Sequence, residues 1–212
     1  MQPHFGNAVE RAGAPITSAL GAMVLVHGRN AGPANILDLF TRLGRPQLAA
    51  IAPAASGGTW YPQSFLAPRE QNEPGITSGL FVIETLVSEL IAGGMPPEKI
   101  ILLGFSQGGC LTAEFALRHP RHYGGVMVLS GGLIGPPGTR WDNISADYEG
   151  TPVFLGCSDV DAHIPKERVL ESEAVFAKHG ASVTRRLYPN MGHLVNEDGI
   201  AFVQHVIDAA IA

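Results

Sequence analysis

The sequence predicts an α/β fold, a mostly parallel central sheet with helices on both faces, forming one domain over residues 1–212. Three observations carry that prediction. Apolar runs of strand length, at residues 21–26, 99–103 and 125–130, show no polar alternation and read as strands covered on both sides. Between them lie longer stretches whose apolar residues recur at helical spacing. Glycine and proline mark the junctions, and alternation of strand with helix builds parallel crossover units rather than hairpins.

Residues 1–20 have mixed polarity and a turn at Gly13-Ala14-Pro15, which suits one or two short antiparallel edge strands. The run at 21–26 is the first buried strand, and it ends in the loop His27-Gly28-Arg29-Asn30-Ala31-Gly32. Pro33 can open a helix, because the amide it lacks would find no partner there. Ile36, Leu37, Phe40 and Leu43 give that helix its apolar stripe, and Gly44 stops it. Residues 48–52 form the next strand. From 53 to 75 no period holds, and a connection of that length favours a functional loop, with Trp60 and Tyr61 near its centre. A helix over 76–93 carries Leu80, Ile83, Val87, Leu90 and Ile91 on one face and stops at Gly93-Gly94 and Pro96-Pro97. The strand at 99–103, a turn and a helix over 109–117 follow, then the strand at 125–130 and a second irregular stretch at 131–150. Residues 152–156 form a strand that opens into an acidic loop, and 166–178 a helix with Val169, Val175 and Phe176 inward. The alternation over 181–188 places a strand near a sheet edge, 189–193 form a loop, and 201–211 make the closing helix. No internal repeat or linker interrupts the series.

Composition narrows the function classes. With 45% hydrophobic and 16% charged residues the chain reads as a compact globule rather than a disordered segment. A net charge of -5 without any lysine- or arginine-rich cluster argues against nucleic acid and leaves a small molecule as the expected partner. Cys110 and Cys157 fall on different elements, and neither they nor His27, His119 and His122 have metal-ligand spacing, so no disulfide framework or metal site is expected. Residues 1–6 lack the basic and apolar regions of a secretory signal, and the apolar run at 19–26 is too short to span a bilayer. A cytoplasmic location without membrane insertion is the expectation. The sequence does not specify an oligomeric state, and a homodimer is compatible with it.

The chemistry concentrates at Gly104-Phe105-Ser106-Gln107-Gly108. This Gly-x-Ser-x-Gly pattern lies between a strand and a helix, the setting in which a serine sits on a sharp turn with its hydroxyl exposed above a sheet. Ser106 is therefore the candidate nucleophile. A serine hydroxyl needs a base at neutral pH, and an imidazole serving as that base needs a third group to fix its tautomer and stabilise its charge. His193, in the loop after the last strand, is the candidate base; His163 competes, but stands two residues from Asp161 on the same loop. The acid is Asp161 or Asp159, both beyond the strand ending at Gly156. Asp161 is preferred, and the other aspartate would cap or brace the loop. An oxyanion needs two donors. The Gln107 amide, directly after the nucleophile, is one candidate; the loop after the first buried strand supplies the other at Arg29, with Gly28 next in line. The Arg29 side chain reads as a solvated charge and His27 as a structural hydrogen-bonding group. Trp60, Tyr61, Phe105 and the 131–150 stretch are candidate substrate contacts, although Trp60 suits the core equally well.

His27-Gly28 after a strand, Gly104-Phe105-Ser106-Gln107-Gly108-Gly109, the Asp161 loop closing on Pro165, and Gly192-His193 together resemble the phospholipase/carboxylesterase family of α/β-hydrolases, which includes acyl-protein thioesterases and bacterial carboxylesterases. The resemblance implies an α/β-hydrolase fold without a large cap domain. It also implies a serine carboxylic-ester hydrolase of carboxylesterase or lysophospholipase type, with a small-molecule ester substrate, an acyl-enzyme intermediate and no cofactor. It assigns the triad to Ser106, Asp161 and His193, and the oxyanion amides to Gln107 and Arg29. Two departures matter. The family's acid loop commonly has Gly-x-x-Asp and then a short link to Val-Pro; here Gly156 to Asp159 keeps the first spacing and Asp161 to Pro165 the second, and counting back from the proline favours Asp161. The loop after His27-Gly28 continues with Arg29-Asn30, where the thioesterases tend to have an apolar residue followed by glycine and aspartate, which bears on thioester specificity more than on ester chemistry. Two other readings stand beside this one: a lactone hydrolase similar to dienelactone hydrolases, which carry cysteine where Ser106 stands, and a non-catalytic ligand-binding homologue.

Overall fold

A computed structural model describes residues 2–141 and 147–212. Its strands are β1 (Val9–Gly13), β2 (Ala22–Val26), β3 (Ala49–Pro53), β4 (Ile100–Phe105), β5 (Gly125–Leu129), β6 (Pro152–Ser158) and β7 (Ser182–Tyr188). They form one sheet in the order β1-β3-β2-β4-β5-β6-β7. β1 runs antiparallel to β3, and the remaining neighbours are parallel, with Val24 of β2 opposite Leu102 of β4 and Phe105 of β4 opposite Leu129 of β5. The helices are α1 (Pro33–Leu43), α2 (Gly75–Ala92), α3 (Gln107–Arg118), α4 (Lys166–Lys178) and α5 (Glu197–Ala210).

Because successive strand residues point to opposite faces, each unbroken apolar run feeds two cores at once. Val24, Leu102, Val128 and Leu155 pack on one side against α2, α3 and α4 through Ile83, Phe115 and Phe176. Met23, Leu103, Met127 and Phe154 pack on the other against α1 and α5 through Ile36, Phe40, Val203 and Ile207. α2 is long and apolar enough to cross a membrane, yet more than half of it is buried in this core.

Where the elements differ from the sequence expectation, strand pairing and helix capping explain it. β6 continues two residues past Gly156 because Cys157 and Ser158 still pair with Leu187 and Tyr188. α5 begins at Glu197, ahead of its apolar period, since the Asn196 side chain accepts a hydrogen bond from the Gly199 amide at 2.8 Å and Glu197 and Asp198 suit the positive end of the helix. The long connection between β3 and α2 holds two short 3-10 turns, Ser56–Gly58 and Arg69–Asn72. The chain leaves β2 towards one edge and returns at β4 to build towards the other. This order change opens a crevice at the carboxyl ends of β2 and β4, where ligands of such sheets bind. Among the described residues no large cap covers it.

Candidate active site

Ser106 lies between β4 and α3 with φ 56° and ψ -122°, a conformation that costs a non-glycine residue about 1–3 kcal/mol. Its neighbours hold it there. Its amide donates to the Leu129 carbonyl at 2.9 Å, and its carbonyl accepts from the Cys110 amide at 2.9 Å. A β-carbon on Gly104 would lie 2.3 Å from the Gly108 oxygen, and one on Gly108 would lie 2.1 Å from the Val26 oxygen. The two glycines are thus the points where α3 meets its own strand and the end of β2, and this contact projects the serine into the crevice.

The loops after β6 and β7 bring an imidazole and a carboxylate to that serine. His193 Nε2 is 2.8 Å from Ser106 Oγ, and His193 Nδ1 is 2.8 Å from Asp161 Oδ2 and 3.0 Å from Oδ1. The Asp161 side chain is 0% exposed and also accepts from the amides of His163 and Ile164 at 2.8 and 3.1 Å. Burial alone would raise its pKa and is the largest single influence. The hydrogen bonds from His193, His163 and Ile164, with the attraction of the imidazole, outweigh it and hold the carboxyl below its ordinary value. An ionised carboxylate only accepts, so it places a proton on Nδ1 and leaves the Nε2 lone pair facing the serine hydroxyl.

Asp159 takes the other part foreseen for this loop. Its Oδ1 accepts from the Asn190 amide at 2.9 Å, while Ser158 Oγ accepts from the Gly192 amide at 3.1 Å, so β6 holds the turn that presents His193. Among the described residues His163 makes no hydrogen bond to the serine; its ring stands edge-on to His193 with centroids 4.7 Å apart.

The loop after β2 lies directly on the nucleophile, with the Gly28 β-position 3.3 Å from Ser106 Cβ. Gln107 is the first residue of α3, where an amide has no intrahelical acceptor. The Arg29 amide has no protein acceptor among the described residues. These residues also act through their side chains. The Arg29 guanidinium donates to the carbonyls of Tyr61, Pro62 and Gln63 at 2.9, 2.8 and 2.6 Å, so it is a clamp rather than the solvated charge expected. Gln107 accepts from the Trp60 amide at 2.9 Å and donates to the Tyr61 carbonyl at 2.7 Å.

Tyr61 and Phe105 line a cleft of about 870 Å³ in front of Ser106 and His193, together with Ile36, Leu39, Phe65 and Leu194. Trp60 does not line it, which corrects its assignment as a substrate contact. The indole is 0% exposed, donates to the His27 carbonyl at 2.9 Å and packs against the rings of His4 and His27, supporting the cleft wall from behind. None of the described part of 131–150 lines the cleft either, although the Gly135 amide donates to the carbonyl of Phe65 in its wall at 2.9 Å. Arg168, buried in α4, donates to the carbonyls of Leu133 and Gly135, both at 2.7 Å, and draws that segment towards its helix. Residues 142–146 lie outside the described residues. Cys110 and Cys157 are buried thiols, and burial pushes each up to about 12.

Comparison with known proteins gives the family. The family model described as Phospholipase/Carboxylesterase matches residues 47–211. The crystal structure of a phospholipase/carboxylesterase from Dyadobacter fermentans superposes with a TM-score of 0.92 at 38% identity, covering 98% of both chains. Acyl-protein thioesterase 1 from Eremothecium gossypii is 30% identical over 69% of this chain and 64% of its own length. The protein of that name from Kluyveromyces lactis is 36% identical over 56% of this chain and 53% of its own. The chain thus spans between about half and two thirds of these curated relatives. With its seven-stranded sheet, its serine on a strand-to-helix turn and a family match over most of its length, the chain belongs to the phospholipase/carboxylesterase family of α/β-hydrolases.

Proposed function

We propose that this protein is a serine hydrolase of carboxylic esters that works through an acyl-enzyme. The unbroken hydrogen-bonded line from Asp161 through His193 to Ser106, ending in a cleft, is the observation that carries the reading. Nε2 of His193 takes the Ser106 proton as Oγ attacks the ester carbonyl, and Asp161 stabilises the imidazolium that forms. The carbonyl oxygen becomes an oxyanion facing the amides of Gln107 and Arg29, whose positions are set before the charge develops. His193 then protonates the departing alcohol, and a water activated by the same nitrogen releases the acid and restores Ser106. No step calls on a metal or cofactor.

The substrate is a small-molecule ester with a flexible acyl chain, because the cleft is walled by Ile36, Leu39, Phe65 and Phe105 and, among the described residues, no large cap restricts it. Relatives named acyl-protein thioesterase bring thioesters into the same class, since the acyl transfer is alike. We place the enzyme in the cytoplasm as a protein that does not insert into membranes.

Labelling with a fluorophosphonate tests the reading. Wild-type protein takes up one equivalent at Ser106, Ser106→Ala takes up none, and His193→Ala reacts far more slowly. The Ser106→Ala variant loses kcat by a factor on the order of 10⁵ or more towards its best ester. Retention of most activity in that variant excludes the mechanism.

A further inference from the structure

Both residues that offer an oxyanion amide grip the same wall of the cleft with their side chains, and they meet on one atom. The Tyr61 carbonyl accepts from Arg29 Nη2 at 2.9 Å and from Gln107 Nε2 at 2.7 Å. Arg29 extends the grip to the next two carbonyls, and Gln107 extends it back to the Trp60 amide. The two loops are laced elsewhere as well: the Asn30 amide donates to the Gly58 carbonyl at 2.8 Å, and the Ala55 amide to His27 Nε2 at 3.1 Å.

We propose that the Arg29 guanidinium is a positioning residue for the oxyanion site, aligning its own amide with that of Gln107 through their shared hold on the Tyr61 carbonyl. The inference rests on the esterase reading and adds a part that reading does not need.

The physical argument starts from what each amide lacks. Gln107 is fixed by α3, whose first turn packs on β2 and β4. Arg29 belongs to no helix or strand, so its N–H direction depends on the loop around it. Fixing a side chain at its far end limits how its own peptide group can rotate, and three carbonyl acceptors in a row leave the guanidinium one orientation. Their distances of 2.6–2.9 Å are as short as those of charge-assisted bonds. The planar fork is the reason an arginine serves here. A lysine ammonium is a point charge on a flexible stem and cannot span three carbonyls in one fixed geometry. Among the described residues Arg29 forms no ion pair with a carboxylate, so its bonds are spent on backbone alone. The arrangement also makes the substrate wall and the oxyanion site one unit. A ligand that displaces residues 61–63 disturbs the Arg29 amide.

The test compares Arg29→Met, Arg29→Lys, Gln107→Met and the Arg29→Met/Gln107→Met double variant with the full-length wild type, using kcat and KM for one neutral and one carboxylate-bearing ester, melting temperature, and the rate of fluorophosphonate labelling. A misplacement on the order of 1 Å at a reacting centre can cost about 10²-fold. Arg29→Met is therefore expected to lose between about 10- and 100-fold in kcat on both esters with a much smaller change in KM, and to be labelled more slowly in proportion, because the phosphonyl oxygen uses the same donors. Arg29→Lys is expected to recover only a small part of that loss. The double variant should lose less than the product of the two single losses, since both act through one carbonyl. Full recovery in Arg29→Lys, a loss confined to the carboxylate-bearing ester, or strictly multiplicative losses would each overturn the proposal. Absence of labelling in the wild type defeats the esterase reading itself; equal labelling rates in wild type and a folded Arg29→Met defeat only this inference.

Discussion

The crevice has two halves built in opposite ways. On the β2 side, the segments around 27–30 and 54–63 are tied by many side-chain bonds to backbone: from Arg29, Gln107, His27, His4 and the Trp60 indole. On the β6 and β7 side fewer bonds do the work. Asp161 orients His193, and Asp159 and Ser158 tie the turn that bears it through Asn190 and Gly192. The difference fits what each half would do in the proposed mechanism. Stabilising an oxyanion requires amides that stay fixed, so redundancy helps. Moving a proton requires one ring in one tautomer, and a single well-placed carboxylate suffices.

The two aspartates give the largest contrast within the second half. Asp161→Asn keeps the shape of the acid but turns an acceptor-only group into one that can donate, which permits the wrong imidazole tautomer. On the precedent of triad acids it should lower kcat by about 10⁴-fold. Asp159→Asn keeps an oxygen that accepts from the Asn190 amide but loses its charge assistance, and Ser158 still holds Gly192, so kcat should fall by no more than about 10²-fold. Measuring kcat for both variants on one ester decides the matter. A larger loss in Asp159→Asn would make Asp159 the acid and dissolve the contrast drawn here.

How much of this was legible in the residues divides along the same line. Ser106 could be found because Gly104 and Gly108 are demanded by contacts within a few ångströms of their own strand and helix, and a local demand leaves a local motif. Asp161 could be ranked above Asp159 by its distance from Pro165. The buried strands were plain because a parallel sheet covered on both faces needs apolar residues at every position, as β2, β4 and β5 show. The first half of the crevice left little trace. His4 reaches Trp60 from the far N-terminus, and nothing near either residue announces the pairing. Trp60 in an irregular loop looks the same whether it faces ligand or core, and only the indole bond to the His27 carbonyl settles it. A guanidinium that clamps carbonyls more than thirty positions away has no sequence signature at all, which is why Arg29 read as a solvated charge. The start of α5 was missed for a simpler reason: its first turn is acidic, and its apolar period begins only at Ile200.

The smallest predicted effect concerns acid, and it separates the halves by where each one titrates. His4 accepts the Ser56 amide on Nδ1 and donates through Nε2 to the Trp60 carbonyl, while His27 accepts the Ala55 amide on Nε2 and donates through Nδ1 to the Gly28 carbonyl. Each ring must be neutral, because a second proton would set two N–H groups against each other. Burial, the largest influence on both, lowers their pKa values from an ordinary 6.5, and burial does the same at His119 on the far side of the molecule. Between the folded and unfolded values the unfolded chain binds protons that the folded chain refuses, so stability rises with pH across that window. Stability is complete above about pH 6.5, declines as the pH falls from there, and levels off below the folded values; each ring contributes a slope of at most about 1.4 kcal/mol per pH unit. Asp161 acts in a separate window. Its carboxyl is depressed from 3.8, so the stability it adds is present above that value and is lost only as the pH falls through its lower folded value. Calorimetric melting between pH 7.5 and pH 4.5 should therefore show a decline that is shallower in His4→Gln and in His27→Gln and unaltered in Asp161→Asn. An identical slope in all four proteins would mean that the interlocked half is not where the protein senses acid, and that its histidines accept a proton without giving up the wall they hold.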